Sequence, residues 1–438
     1  MLALIKSLLE TYLGGFVRLI PSYYLFGSSY RDFFRYYYPS NGNINKNTED
    51  LVRLNLSRII ALSKKTSFYN ADNESIEQFS FINKETIMLQ TNRFLISKAG
   101  ADYITTGGTS GKPLAFYINK NRKGIEWFWM THNWSKVGFD VDKSWRAVLR
   151  NHKLHGKKVV VNRLMKEYQF DNFNQSAQYL DFVIDFIERK QIPFVHAYPS
   201  AAFQLAKRAL STGKKLPCVQ AFLCGSENVL PAYKELIQNE LGIRMYTWYG
   251  HSEKLILAGE GKTCENYHAL PLYGYAELID ENEQNITQSG QTGELVGTGF
   301  INTVMPFIRY RTGDYAEYVG ETCPDCGHIG LTFKNVTGRW DGEKIYTSNG
   351  GFVTTTALNM HNDIYDHISN FQYYQDTVGK LEVRVVPLPT FTQQHKVEIK
   401  NEIIEKVGEQ LVITVVEVPD IEYTINRKYK LLVQKAVV

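Results

Sequence analysis

The chain of 438 residues is longer than one hydrophobic core supports, so a large domain with at least one smaller one is expected. Its 44% hydrophobic and 21% charged residues exclude a disordered or low-complexity chain. A formal charge of +4 without a dense Lys/Arg run gives no basis for nucleic-acid binding, although a mildly basic surface suits a polyphosphate.

Residues 1–75, rich in Tyr and Phe, read as a helical lead-in that serves packing. Lys6, Glu10 and Arg18 interrupt the apolar N-terminal stretch before it reaches the roughly 18–20 residues a membrane span needs. Its Leu and Ile spacing suits an amphipathic helix that packs on the core or makes peripheral membrane contact. Five cysteines, an odd number with no secretory signal ahead of them, predict a reducing, cytoplasmic setting rather than a disulfide framework.

The first chemical motif is Thr105-Thr106-Gly107-Gly108-Thr109-Ser110-Gly111-Lys112-Pro113. Small residues let backbone N–H groups converge on phosphate oxygens, and the hydroxyls and Lys112 add donors and charge. The Walker spacing is absent. Further on, Tyr179, Leu180, Val183, Ile184 and Ile187 recur at helical spacing, and Phe194 to Tyr198 forms a strand-like run closed by Pro199. A helix near 200–211, an apolar run 219–224 ending at Gly225, a helix from Pro231 to Gly242 and a strand Met245 to Tyr249 follow. This alternation predicts a parallel α/β sheet with its ligand beyond the carboxyl ends, at Tyr198, Gly225 and Tyr249.

Tyr249-Gly250-His251-Ser252-Glu253 leaves the last of these strands, placing a carboxylate for Mg²⁺ and an aromatic face for a base. In Met305-Pro306-Phe307-Ile308-Arg309-Tyr310-Arg311-Thr312-Gly313-Asp314, Asp314 can accept hydrogen bonds from two ribose hydroxyls, or pair with arginine structurally. After about residue 340 the pattern becomes strands near 381–386 and 412–418 flanking a helix near 394–410, a separate α+β unit. Cys323-Pro324-Asp325-Cys326-Gly327 is a knuckle of the zinc-binding sort, but supplies only two ligands.

Taken in order, TTGGTSGKP, YGHSE and RYRTGD, followed by Gly338-Arg339-Trp340-Asp341 and Arg427-Lys428-Tyr429-Lys430, resemble the adenylate-forming acyl-CoA synthetase superfamily. The resemblance extends over about residues 80–438 and is nearest to phenylacetate–CoA ligases and the capsular polysaccharide biosynthesis ligases. It implies a large α/β N-terminal AMP-binding domain with parallel-rich sheets over 1–340 and a small mobile α+β lid domain over 341–438.

The resemblance also implies roles. Thr109, Ser110, Gly111 and Lys112 would clamp the β- and γ-phosphates of ATP; Gly225, Ser226 and Glu227 would lie along adenine; Tyr249 would stack on it beside Gly250. Glu253 would bind Mg²⁺, Asp314 and Arg339 would fix the ribose, Asp341 would be the hinge, and Lys430 would reach the α-phosphate during adenylation. Tyr198, Ser200 and His251 would line the acyl pocket. Cys264 and His268 occupy places where relatives show a Cys and a His, and with Cys323 and Cys326 would complete a structural zinc site. The implied reaction activates a carboxylic acid as its acyl-adenylate and transfers it to coenzyme A, with an amine or hydroxyl of a sugar precursor as the competing acceptor. Tyr429 stands where the family has glycine, which keeps a non-catalytic nucleotide-binding scaffold as the alternative.

Overall fold

The computed structural model describes residues 20–37, 48–106, 114–338, 344–422 and 431–437, apart from 151, 155, 228, 230, 359, 361–363, 365 and 366. Thr109, Ser110, Gly111, Lys112, Arg339, Asp341 and Lys430 lie outside the described residues.

The centre is a twelve-stranded sheet. Five adjacent strands run parallel: Arg244–Gly250, Ala221–Gly225, Phe194–Ala197, Arg146–Leu149 and Glu167–Gln169. Their crossovers are amphipathic helices. Ala177–Lys190 buries Tyr179, Leu180, Val183, Ile184 and Ile187, is capped by Ser176, and ends at Gln191 in the left-handed conformation. Pro199–Ser211 carries its proline at the first turn, where the missing N–H costs nothing. These helices and strands share one core with Val195, Phe222 and Met245.

The other half of the sheet is antiparallel, so the expected parallel-rich sheet is one block of a mixed one. From Leu257–Glu260 it continues through Tyr267–Ala269, Ile329–Thr337, Tyr310–Thr322 and Thr292–Gly299 to Gly274–Ile279. Thr292–Gly299 is buried at every residue after the first, which removes the period-two alternation that marks such strands in a sequence. Gly293 illustrates the tightness, since a Cβ there would lie 2.4 Å from the Ile279 carbonyl oxygen. The helix expected from Pro231 to Gly242 also differs: Pro231–Lys234 is α-helical, but Glu235–Glu240 is a π-helix, with the Leu241 N–H bonded to the Leu236 carbonyl at 3.0 Å.

The lead-in helix Gly27–Tyr37 packs on Arg122–Ser135 through Tyr30 and Phe128. Gly124 permits the approach, as a Cβ would come within 3.1 Å of the Phe26 carbonyl oxygen. Trp129 is 2% exposed in this core, and Trp127 and Phe128 pack around it. Among the described residues no helix is long and apolar enough to cross a membrane.

A second sheet orders its strands Val412–Glu417, Lys380–Pro387, Ile368–Gln375 and Leu432–Gln434, with helix Gln393–Val407 packed on it. Its core of Phe371, Val383, Ile399 and Ile413 also takes in Phe173 from the large part. Gln175 donates to the Phe352 carbonyl at 2.9 Å across the same junction. The molecule is thus a mixed α/β fold with a large sheet and a small C-terminal α+β part.

Candidate active site

Parallel strands end on one edge, so the residues that leave them share a cleft. Arg150, Tyr198, Ser226 and Gly250 stand at the ends of four adjacent strands. Gly225 is held tightly: a Cβ there would meet the Trp248 indole at 2.5 Å, so only glycine lets that ring lie across the strand end. Ser226 follows at φ +69°, a left-handed conformation that strains a non-glycine residue. The Glu227 carboxylate accepts the Ser200 backbone N–H at 3.1 Å, in the first turn of helix Pro199–Ser211, where orphan amides favour an anion. Glu227 therefore ties the 225–227 turn to the Tyr198-Pro199-Ser200 segment, bringing the residues expected along adenine against those expected in the acyl pocket.

Beyond the Arg244–Gly250 strand the structure brings Tyr249, Glu253 and Asp314 together. The Tyr249 hydroxyl donates to Asp314 Oδ2 at 2.9 Å. Burial, and then the Asp314 charge, hold its pKa well above the ordinary phenol value, so the proton stays on tyrosine. Glu253 is buried and accepts from the Tyr310 hydroxyl at 3.3 Å. Burial alone would raise its pKa, but the hydrogen bond from His251, its own backbone and the Lys84 charge outweigh that and hold it below the usual range. The carboxylate is ionised at neutral pH, as a divalent cation requires.

His251 has both ring nitrogens engaged. Nε2 accepts the Ile256 N–H at 3.3 Å, which places the proton on Nδ1, 3.1 Å from Glu253 Oε2. In this arrangement it orients Glu253. The arginines of the same motif are also committed, Arg309 to Glu277 at 2.9 Å and Arg311 to Glu294 at 2.6 Å, so neither is the partner of Asp314. A cavity of about 420 Å³ lined by Ser22, Phe34, His132 and Asp142 lies behind the lead-in helix, away from these strand ends.

Cys264, His268, Cys323 and Cys326 converge, with all four ligand atoms within 4.8 Å of one another. Cys264 Sγ lies 3.5 Å from His268 Nε2 and 3.9 Å from Cys323 Sγ, and Cys326 Sγ lies 3.5 Å from the same Nε2. Tetrahedral zinc with ordinary bond lengths requires edges of about 3.8 Å between sulfurs and about 3.6 Å from sulfur to nitrogen. The donor set fits. The knuckle is closed by the Gly327 N–H on the Cys323 carbonyl at 2.9 Å, with Gly327 at φ +71°. Gly261 leaves room for the ligands, because a Cβ there would sit 2.4 Å from Cys264 Sγ. Burial, and then the His328 and Lys136 charges, push the His268 pKa down to about 3, so its imidazole is neutral and available as a donor. Cys224 is buried in the main core and Cys218 lies at its margin.

Sequence reasoning passed over Arg150, His196, Trp248 and Lys84. Arg150 carried the same signal as Tyr198 and Gly225, a residue directly after an apolar strand, here Ala147-Val148-Leu149. Lys84 had none: it is buried at the start of helix Lys84–Phe94 and adds positive charge beside Glu253.

The fold is that of the adenylate-forming ligases. A 2-hydroxyisobutyryl-CoA ligase in complex with 2-HIB-AMP and CoA superposes with a TM-score of 0.54, at 14% identity over 92% of each chain. The same ligase in its postadenylation state gives 0.52, at 13% identity over 91% of each chain. Residues 345–435 match the CapK C-terminal domain family. Protein CapK of Staphylococcus aureus is 22% identical over 71% of this chain and 69% of its own length. Phenylacetate-coenzyme A ligase of Pseudomonas putida is 30% identical over 30% of this chain and 29% of its own. The chain thus has the fold of the adenylate-forming ligases and is similar in sequence to CapK and, over a shorter stretch, to phenylacetate-coenzyme A ligase.

Proposed function

We propose that the chain is an AMP-forming carboxylate ligase. A carboxylate oxygen attacks the α-phosphorus of ATP, the bond to the bridging oxygen breaks, and pyrophosphate leaves. The sulfur of coenzyme A then attacks the acyl carbon, AMP leaves, and the thiol proton passes to solvent. Adenylation is needed because a carboxylate is a poor electrophile and AMP a good leaving group. The observation that carries this reading is the grouping of Tyr249, Glu253 and Asp314 where the Arg244–Gly250 strand ends beside Tyr310–Thr322. The relation to CapK supports a place in capsular or surface polysaccharide synthesis.

In this reading Thr109, Ser110, Gly111 and Lys112 hold the triphosphate, Glu253 holds Mg²⁺, and Asp314 with Arg339 holds the ribose. The cation neutralises charge on the transferring phosphate. Lys430, carried by the C-terminal part, places an ammonium at the α-phosphate in the first step, and rotation about Asp341 withdraws it for the second. Cys264, His268, Cys323 and Cys326 hold a structural zinc, since four protein ligands leave no open position for catalysis.

The test is ATP–pyrophosphate exchange across a panel of carboxylic acids, then addition of coenzyme A or candidate amines. Acid-dependent exchange that Lys430→Ala abolishes is the expected result. No exchange with any acid, with nucleotide binding intact, would refute the reading and favour a scaffold.

A further inference from the structure

Arg150 projects from the end of the Arg146–Leu149 strand into the edge where the neighbouring strands finish. Its Nη1 lies 2.7 Å from His196 Nε2, and its Nη2 donates to Ser226 Oγ at 2.7 Å. The guanidinium sits over the Tyr198 ring at 4.8 Å and reaches the Trp248 ring at 5.9 Å. Three elements therefore hold it in one geometry. Among the described residues no carboxylate pairs with it, unlike Arg146, Arg208, Arg244, Arg309 and Arg311, each of which has an acidic partner. A guanidinium carries five N–H donors, and two are used here. The others are not sealed from solvent, and Ser226 beside them is exposed.

The surroundings are positive and aromatic. His196 accepts from Arg150 at Nε2, so its proton sits on Nδ1, which is buried without a partner. Burial, and then the Arg150, Arg146 and His152 charges, hold its pKa well below the ordinary imidazole value, so it adds no countercharge. A fixed, unpaired arginine between aromatic faces is a built receptor for an anion. Arg150 borders the turn expected along adenine through Ser226, and its guanidinium faces Tyr198, which is expected in the acyl pocket. The Trp248 indole lying across Gly225 also closes the cleft at that point, which limits the length of what it can hold.

We infer that Arg150 determines acid specificity, and that the acid this chain activates is a short one with a second anionic group, gripped by the guanidinium between Ser226 and the Tyr198 and Trp248 rings. The inference rests on the ligase reading above. One carboxylate goes to the α-phosphorus and the other stays on Arg150, so an acid lacking the second group leaves a desolvated guanidinium unpaired.

Pyrophosphate exchange with matched pairs, succinate against butyrate and glutarate against pentanoate, tests this in the full-length protein. The wild type is expected to favour the diacid by about 100-fold in kcat/KM, as charge-assisted hydrogen bonding to a held arginine implies. Arg150→Met should remove that preference, lowering the diacid kcat/KM far more than the monoacid value, and Arg150→Lys should restore part of it. Wild-type preference for the monoacid would overturn the inference and needs no variant to fold. So would an equal loss for both acids in Arg150→Met, or a rise in the KM for ATP alone, which would make Arg150 a contact for the reacting carboxylate or the nucleotide. Exchange with monoacids only refutes this inference and leaves the ligase; exchange with no acid refutes both.

Discussion

Removal of the zinc proposed at the Cys264, His268, Cys323 and Cys326 cluster should loosen the antiparallel half of the sheet. The ligands join the segment after Leu257–Glu260 to the turn between Tyr310–Thr322 and Ile329–Thr337, and Cys264 and Cys323 are 59 residues apart in sequence. A cross-link that closes a loop of that length restricts the unfolded chain by about 4 kcal/mol, taking the covalent cross-link relation as the guide. A structural zinc of this kind binds apo protein with a larger free energy still, so chelation acts on folding. The assay is metal analysis of the purified protein followed by thermal melting with and without a strong chelator, and again with Cys264→Ser. About one equivalent of zinc per chain, a melting temperature lowered by chelation and by the substitution, and no additive effect of the two are expected. Under half an equivalent under conditions that do not strip metal, or melting indifferent to the chelator, would refute the zinc site. Loss of exchange activity in folded, zinc-depleted protein would refute a purely structural role.

Glu253→Gln keeps the shape and the acceptor for Tyr310 but removes the charge, so exchange should fall by at least about 100-fold, near 2.7 kcal/mol, with melting little changed; retained Mg²⁺ dependence and rate would argue against Glu253 as the cation ligand. Gly225→Ala forces the Trp248 indole aside and should cost about 1–3 kcal/mol in a denaturant titration, with the acid KM raised; an unchanged midpoint would mean the ring moves freely. His196 is neutral in the native state because burial holds its pKa far below 6.5, so the unfolded state takes up a proton first as pH falls. The stability that depends on its neutrality is whole above about pH 6.5 and declines below it by up to about 1.4 kcal/mol per pH unit. His196→Gln should flatten that part of a melting-temperature profile between pH 7.5 and 5.5, and an unaltered slope would assign the loss to other buried histidines.

The helices Ala177–Lys190 and Pro199–Ser211 and three of the five parallel strands, Phe194–Ala197, Ala221–Gly225 and Arg244–Gly250, were legible because each has one buried stripe or a short apolar run between turn signals. Tyr179, Val183 and Ile187 point to one face of Ala177–Lys190, and Pro199 marks the start of the next helix. The antiparallel half was not, since Thr292–Gly299 is glycine-rich and buried on both faces. The π-helix after Pro231 was equally invisible, because one extra residue per turn leaves a short apolar pattern unchanged. For the site, the motifs singled out Tyr249, Glu253 and Asp314, yet the pairing of Tyr249 with Asp314 joins residues 65 apart.

The sequence by itself determined the helix and strand alternation of the parallel block, the resemblance to the adenylate-forming ligases, and the residue types able to bind nucleotide and metal. Those properties are written in local spacing and in short motifs whose chemistry needs no distant partner. Tertiary structure decided which side chains meet: that His251 spends both nitrogens on Glu253 and a backbone amide, that Glu227 holds the Ser200 amide, and that Arg150 remains without an acidic partner among the described residues. Hydrogen bonds and ion pairs depend on separation and direction in space, and these are set by how strands far apart in the chain come to lie side by side.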